Sequence, residues 1–571
     1  MKNLQKAYEY ISYLLAISIA FPQKVSSCLL GIWSIFFLWV NFKSGYSFSF
    51  TKEKISNLLL LGISILGLVT ITYAEDCSAV IQRTFEQRLT LILLPIFALF
   101  NKTSISFNKI IKFYILGNFL FITYSHFWII SDYIIGNNLE IQRNFALEAS
   151  NIYNTLIHRS YSGLNILISY SGIFYLWNKN QISKKERIFL IIYIIYTLHY
   201  LIFNNSRGVS IALFATAIIA ICIVIIKSKK KIITSLIVIV ATILLILSFP
   251  NRTKDTISLI TSEGIAALNE PRLQIWKACS SLLTENYLLG YGVNNIQKPL
   301  IEEYKKINFF EGVVGNFNSH NHFFEIWLEM GLIGPIALIV FLLSIPLSAS
   351  KNKLYFTILF STNYLISFLF ESLLNRYFGC ITLAFFMFFI YTKDKSNIKS
   401  ETFLKKGWIM LILGVTALIS IILLEYCSYN SKHLQSKQIV SSIITEHTEK
   451  NPFKFDFNKS RKFYFNDFAK GYYIIGISKI EESKTSNFEI ECYVSEDFNG
   501  KEVLIYEETE KMEFIQSCEY DLNRKNEWQK LQIALKSNKK TSIICIQSYP
   551  INKIGEREGY IYLRNAKFTT K

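Results

Sequence analysis

Long apolar runs separated by short polar loops occupy the first three quarters of the chain, and they set its architecture. A helix needs roughly 20 apolar residues to cross about 30 Å of hydrocarbon. That template predicts about thirteen spans, near 8–22, 26–42, 56–74, 88–101, 110–135, 159–177, 188–204, 208–227, 231–249, 323–347, 354–374, 377–392 and 407–427. Lys2 and Lys6 precede the first run, but no small-x-small cleavage site stands before Pro22, so it reads as a retained helix and not a signal peptide.

Two regions break this pattern. The segment 250–322 is too long for a connector. In it Asn269-Glu270-Pro271 has the form of a helix start, and Ile275, Trp276, Cys279, Leu282 and Leu283 follow at helical spacing. The pattern predicts a short amphipathic helix on the outer membrane surface, ended near Gly290-Tyr291-Gly292. After a linker at 431–450, the chain changes to short runs such as Tyr472 to Ile477, Phe488 to Val494 and Trp528 to Leu535, rich in aromatic and β-branched residues. Six to eight such strands over 451–571 predict an antiparallel β-sandwich. Trp528, Tyr560 and Tyr562 are residue types that stack on sugars, which makes the tail a candidate carbohydrate-binding domain, but Trp528 is expected in the sandwich core. The predicted fold class is therefore mainly α. A polytopic membrane domain of 12–13 transmembrane helices over 1–430 is followed by an extracytoplasmic β-sandwich.

Charge fixes the orientation. A net charge of +18 in a soluble chain would point to nucleic acid, but here the lysines sit between apolar runs, so no nucleic-acid partner is expected. With the N-terminus in the cytoplasm, the inner loops hold Lys43, Lys52 and Lys54, then Lys184 and Lys185, then the Lys227 to Lys231 cluster, then Lys393 to Lys406. An odd number of spans then places the tail outside the cytoplasm. That compartment permits disulfides, and among Cys492, Cys518 and Cys545 both a pair and buried thiols are open readings. The nine cysteines form no Cys-x-x-Cys pair, and neither a Walker loop nor a carboxylate cage is present, so no metal or other cofactor is expected.

The short outer loops carry almost all arginine where the inner ones carry almost all lysine: Arg83, Arg88, Arg143, Arg159, Arg207 and Arg376 stand outside with Lys24, and Arg187 is the inner exception. Arginine's planar fork binds phosphate or carboxylate in a bidentate way that lysine does not. The candidate site is built from Arg207 in Asn204-Asn205-Ser206-Arg207-Gly208, Arg272 at the start of the amphipathic helix, and His320 in Asn318-Ser319-His320-Asn321-His322. His158 and Arg159 open the sixth span on the same side, either lining an entrance or anchoring the helix. Arg83, Arg88 and Arg376 are further candidate contacts, as is Asn321, while Glu325 is placed to orient the site or cap its helix. His322 is read as structural, and Glu371 is an acid without an assigned role.

Ser206-Arg207-Gly208, Arg272-Leu273-x-x-Trp276, Gly290-x-Gly292 and Ser319-His320-Asn321-x-Phe323-Phe324-Glu325-x-x-x-Glu329-x-Gly331-Leu332-Ile333-Gly334 resemble, in that order, the O-antigen ligase and polymerase superfamily of bacterial membrane glycosyltransferases. The resemblance covers roughly residues 50 to 392 and leaves out the tail. It implies transfer of a glycan from undecaprenyl pyrophosphate to an acceptor hydroxyl, on the outer face of the bacterial inner membrane, during surface polysaccharide or lipopolysaccharide assembly. The acceptor classes implied are a glycan, a lipid A-core or a protein hydroxyl, with membrane lipid as a further partner. Under it Arg207 and Arg272 would stabilise the pyrophosphate leaving group, and His320 would serve as general base, since an ordinary imidazole titrates near 6.5. A polymerase using the same donor class is the alternative. A polysaccharide transporter or flippase is the rival of a different class, but it calls for ionisable residues near mid-membrane and internal repeats, whereas the candidates here gather at one surface.

Overall fold

Helices follow the apolar runs through the first 394 residues of this computed structural model, and strands occupy the tail. The structure describes residues 2–45, 51–134, 156–204, 206–227, 271–307, 309–394, 415–423, 461–464, 473–479, 486–498, 500–508, 514–535, 541–550 and 560–570. Two compact units divide the chain, Met1–Gln438 and Ile439–Lys571.

The helices of the first unit are α1 (Lys2–Ser18), α2 (Gln23–Ser44), α3 (Ile55–Val69), α4 (Cys77–Gln82), α5 (Thr90–Phe100), α6 (Phe107–Ile134), α7 (Arg159–Asn178) and α8 (Lys184–Asn204). They continue with α9 (Arg207–Lys227), α10 (Pro271–Glu285), α11 (Gln297–Lys306), α12 (Phe310–Gly315), α13 (His322–Met330), α14 (Ile333–Ser348), α15 (Leu354–Phe370) and α16 (Tyr377–Ile390). Among the described residues, four helical stretches are long and apolar enough to cross a membrane: Gln23–Ser44, Lys52–Thr72, Phe107–Ser131 and Arg207–Ile226. Apolar helices at Thr90–Phe100, Ile333–Ser348, Leu354–Phe370 and Tyr377–Ile390 are shorter. The predicted span 231–249, most of 407–427, the stretch 250–270 and the linker 431–450 lie outside the described residues.

Two predicted elements take a different form. The tenth span, expected as one helix over 323–347, is broken into α13 and α14 at Gly331, whose φ is +68°. The break has a steric cause, because a Cβ on Gly331 would lie 1.8 Å from the Leu288 carbonyl oxygen. The loop 287–292 enters there and satisfies the end of α13, with Tyr291 N donating to Leu328 O at 2.7 Å and Gly292 N to Glu329 O at 3.0 Å. The amphipathic helix exists as α10, with proline at its first position. Its apolar stripe does not face a membrane surface as expected: Ile275, Ala278, Cys279, Leu282 and Leu283 are buried in a cluster with Ile296, Leu300 and Tyr304 of the α11 region and Leu328 of α13. Protein side chains cover the stripe more closely than a bilayer surface would.

In the second unit eight strands are described, β1 (Arg461–Tyr464), β2 (Tyr473–Lys479), β3 (Ser486–Val494), β4 (Gly500–Glu508), β5 (Phe514–Glu519), β6 (Trp528–Ala534), β7 (Thr541–Pro550) and β8 (Tyr560–Thr570). They form two four-stranded antiparallel sheets, ordered β1-β8-β3-β6 and β2-β7-β4-β5. Alternation sets the inward face, so that Phe488, Ile490, Cys492 and Val494 of β3 are buried with Leu531 and Ile533 of β6. That parity corrects the expectation for Trp528, which shares the outward face with Lys530 and Gln532 and is 37% exposed. Cys492 and Cys518 are free thiols.

Candidate active site

The turn before α13 positions His320. Asn321 is the N-cap of that helix, its Oδ1 accepting from Phe323 N at 2.9 Å and Phe324 N at 3.2 Å. Its neighbour His320 is thereby held in the left-handed region, at φ +44°, with its N–H donating to Asn318 Oδ1 at 3.0 Å. A non-glycine residue there stores on the order of 1 kcal/mol of strain, which surrounding contacts must hold.

A second turn, between α15 and α16, carries Glu371, Ser372 and Asn375. The two turns meet through Glu325, which is buried and points back from the first turn of α13. Its carboxylate accepts from Ser319 Oγ, from Ser372 Oγ at 3.2 Å and from Asn375 Nδ2. Ser319 adjoins His320 and Ser372 adjoins Glu371, so this clamp sets His320 Nδ1 3.5 Å from Glu371 Oε1. At that distance the pair is an electrostatic contact and not a strong hydrogen bond.

Other segments gather around Glu371. Ser160 Oγ lies 3.5 Å from its Oε2. His158 caps α7, its Nδ1 accepting from Ser160 N at 3.4 Å. Arg272, in the first turn of α10, sets its guanidinium 6.0 Å from the ring centre of Phe370, the residue before Glu371. The first turn of α9, which begins at Arg207, closes on the same Phe370: a Cβ on Gly208 would lie 2.8 Å from the Phe370 Cβ, so glycine lets the helix start approach. Arg376 precedes α16 on the exposed side.

The electrostatics follow from this crowding. Burial pushes the Glu371 carboxyl up, but His320 beside it, with His158 and Arg272 nearby, brings it down to about 2, so it is ionised at neutral pH. Burial lowers His158 to about 4 against the pull of Glu371, and Arg376, Arg159 and His320 act in the same downward direction. His158 is therefore neutral near pH 7 and serves as a cap and acceptor.

The structure thus brings His320, Arg272 and His158 around Glu371, with Arg159 and Arg376 acting on His158 and the Arg207 helix start on the neighbouring Phe370. Three candidates are placed otherwise. Arg88 is buried and bidentate with Glu329, at 2.9 and 3.0 Å, and also donates to Leu374 O at 3.0 Å and Asn375 Oδ1 at 2.8 Å, so its fork is engaged inside the protein. The side chain of Asn321 is occupied as a cap, and Glu325 is a buried clamp without access to a ligand. His322 is buried with its ring 4.6 Å from that of Phe368, and it lines a cavity of ≈ 30 Å³ shared with Arg88 and Glu329. Glu371 was the residue whose part sequence reasoning missed. The available signal was an isolated acid at the outer end of an apolar run, where an ionised group needs a cationic partner.

Residues 192–339 match the family model described as O-antigen ligase. Over that stretch, about a quarter of the chain, the sequence is similar to the O-antigen ligase superfamily. No curated protein matches it. The matched region holds Arg207, Arg272 and His320, while His158 and Glu371 come to His320 from outside it. The match supports a ligase- or polymerase-type function in polysaccharide assembly.

Proposed function

We propose that this chain joins a glycan carried on undecaprenyl pyrophosphate to an acceptor hydroxyl at the outer face of the bacterial inner membrane, as a ligase. The single observation that carries the reading is the convergence of Arg272, the helix start that holds Arg207, and the His320–Glu371 pair, from four distant segments, on Phe370 and Glu371. The acceptor oxygen attacks the anomeric carbon, the anomeric C–O bond to phosphate breaks, and the pyrophosphate leaves with the bonding electrons. Arg207 and Arg272 are the cations for that developing charge. Glu371 faces His320 Nδ1, which leaves Nε2 to accept the acceptor's proton. Glu371 orients the ring and stabilises the imidazolium that forms. Attack opposite the leaving group inverts the anomeric centre.

The lysine-rich inner loops and arginine-bearing outer loops support a multi-pass protein with a cytoplasmic N-terminus and a periplasmic tail. One hydrophobic cluster joins β3, β6 and β8 of one sheet with β4 and β7 of the other, which supports a sandwich for that tail.

The test uses purified lipid-linked glycan and the full chain in lipid nanodiscs. His320→Ala and Arg207→Ala are each expected to reduce donor turnover by on the order of 10²-fold or more. Parental turnover in both overturns the site. The product decides the acceptor: glycan on a lipid A-core or other surface acceptor marks a ligase, and lengthened lipid-linked glycan marks a polymerase.

A further inference from the structure

Outside the helical unit, the outward face of the sheet β1-β8-β3-β6 carries an aromatic row. Tyr562 of β8 pairs in register with Tyr493 of β3, and Tyr493 with Trp528 of β6. The ring centres lie 6.1 Å apart for Tyr493 and Tyr562 and 5.5 Å apart for Tyr493 and Trp528, and Tyr560 lies 5.1 Å from Tyr562. Trp528 is the one exposed large hydrophobic among the described residues of this unit, and the three tyrosines are half-buried. Three adjacent strands make the row about 10 Å long.

Its rings are held in place. The Arg564 guanidinium sits 3.8 Å from the Trp528 ring centre and is itself fixed by Glu491, with Nε 2.7 Å from Oε2. The Tyr493 hydroxyl donates to Asn526 Oδ1 at 3.0 Å, and Asn526 Nδ2 donates to Glu496 at 2.9 Å. Lys530 and Lys567 both pair with Glu489 on the same face. The surface is therefore a preorganised flat aromatic strip edged by charge-balanced donors and acceptors, and little ordering entropy opposes binding to it.

We propose that this strip, centred on Tyr493 and Trp528, binds the pyranose units of an uncharged glycan. A pyranose has an apolar face of C–H bonds, which packs on flat rings, and a rim of hydroxyls, which both donate and accept. Tyrosine and tryptophan supply the first surface, and Glu491, Arg564, Asn526 and Glu496 supply the rim. A lipid surface calls for another chemistry, aliphatic side chains and unpaired cations, whereas the described side chains of this face present Glu489, Glu491 and Glu496, with Lys530 and Lys567 paired to the first and Arg564 to the second. The strip rests on observations separate from the proposed transfer site, so either can fail alone.

The experiment immobilises the full chain in nanodiscs and measures binding of maltohexaose, cellohexaose, mannohexaose, chitohexaose and the delipidated surface polysaccharide of the producing cells. Binding of at least one, weakened on the order of tenfold by Trp528→Ala, restored by Trp528→Tyr and unaffected by His320→Ala, is the expected result. No binding of any of these glycans overturns the assignment, as does equal binding by the parent and by Trp528→Ala combined with Tyr493→Ala. A label at Tyr560→Cys quenched by lipid-borne quencher, in a chain that binds none of the glycans, assigns the face to the membrane and likewise overturns it. Trp528 is exposed, so its variants should keep the parental gel-filtration profile and melting point, and they should keep donor turnover on a short acceptor.

Discussion

Two charge clusters of nearly identical composition stand in the helical unit and behave as opposites. Arg88 and Glu329 are both buried and spend their full bidentate geometry on each other. Glu371 is also buried, but its cationic surroundings are loose: His320 is 3.5 Å away and 28% exposed at its side chain, and Arg272 acts from a distance. A closed pair contributes architecture, because its charges are consumed. A cluster with a part-exposed member, here His320, can be reached from outside the protein. The largest expected effect breaks the closed member: Arg88→Met removes the bidentate partner of the buried Glu329 carboxylate and leaves it the Asn294 N–H at 3.4 Å and the charge of Arg83, which costs about 3–5 kcal/mol. Arg88→Met combined with Glu329→Leu should recover most of that loss in thermal unfolding followed by tryptophan fluorescence in detergent. If single and double variants melt alike, the pair is not a closed unit.

The open member should give a different signature. Glu371→Gln keeps the size of the side chain and removes the charge that orients His320, so donor turnover should fall by on the order of 10²-fold, and the melting point at neutral pH should fall by the share of stability that the ionised carboxylate contributes. A variant that loses melting point but keeps parental turnover would make Glu371 a structural acid of the Glu329 kind.

Which arginine belongs to which cluster was not legible from local sequence. Arg88 and Arg207 both follow polar residues at the outer end of an apolar run, and only the return of Glu329, 241 positions later, commits Arg88. The His320 turn was legible, because Asn321 followed by a run with Glu325 and Glu329 is a helix start, and the helices at α2, α6 and α9 followed from apolar length alone. The break at Gly331 was not, since it is caused by backbone arriving from 287–292. In the tail the information was present but unused. Leu531 and Ile533 fix the inward parity of β6, and that parity already turns Trp528 outward.

Acid sharpens the comparison further. His158 falls from an ordinary 6.5 to about 4 in the folded chain, so the unfolded chain binds more protons between those values and stability is lost as pH falls from about 6.5 to about 4. Glu371 is lowered from 4.5 to about 2, and its contribution is lost as pH falls from about 4.5 to about 2. Melting points measured from pH 7 to pH 4 should therefore decline, and His158→Gln should flatten the part above pH 4.5. Glu371→Gln should leave that upper part in place and change only the lower part. An unchanged slope in His158→Gln would remove His158 from the coupled group.

The smallest expected effect tests whether the open cluster depends on a local device. Asn321 contributes to α13 by two cap hydrogen bonds, and loss of a cap of this type costs about 1 kcal/mol. The residue it precedes is buried His322, so the helix itself remains anchored by packing on Phe368. The adjoining His320 is less deeply held, with its ring 5.8 Å from that of Phe317 and its left-handed backbone kept from both sides, by Asn318 and by the cap. Asn321→Ala should therefore lower the melting point by only a few degrees and turnover by less than tenfold, with Asn321→Asp near the parent because aspartate caps equally well. A turnover loss as large as that of Glu371→Gln would place the Asn321 amide on the substrate and not on the helix, since the shared cap in Asn321→Asp could not then restore it.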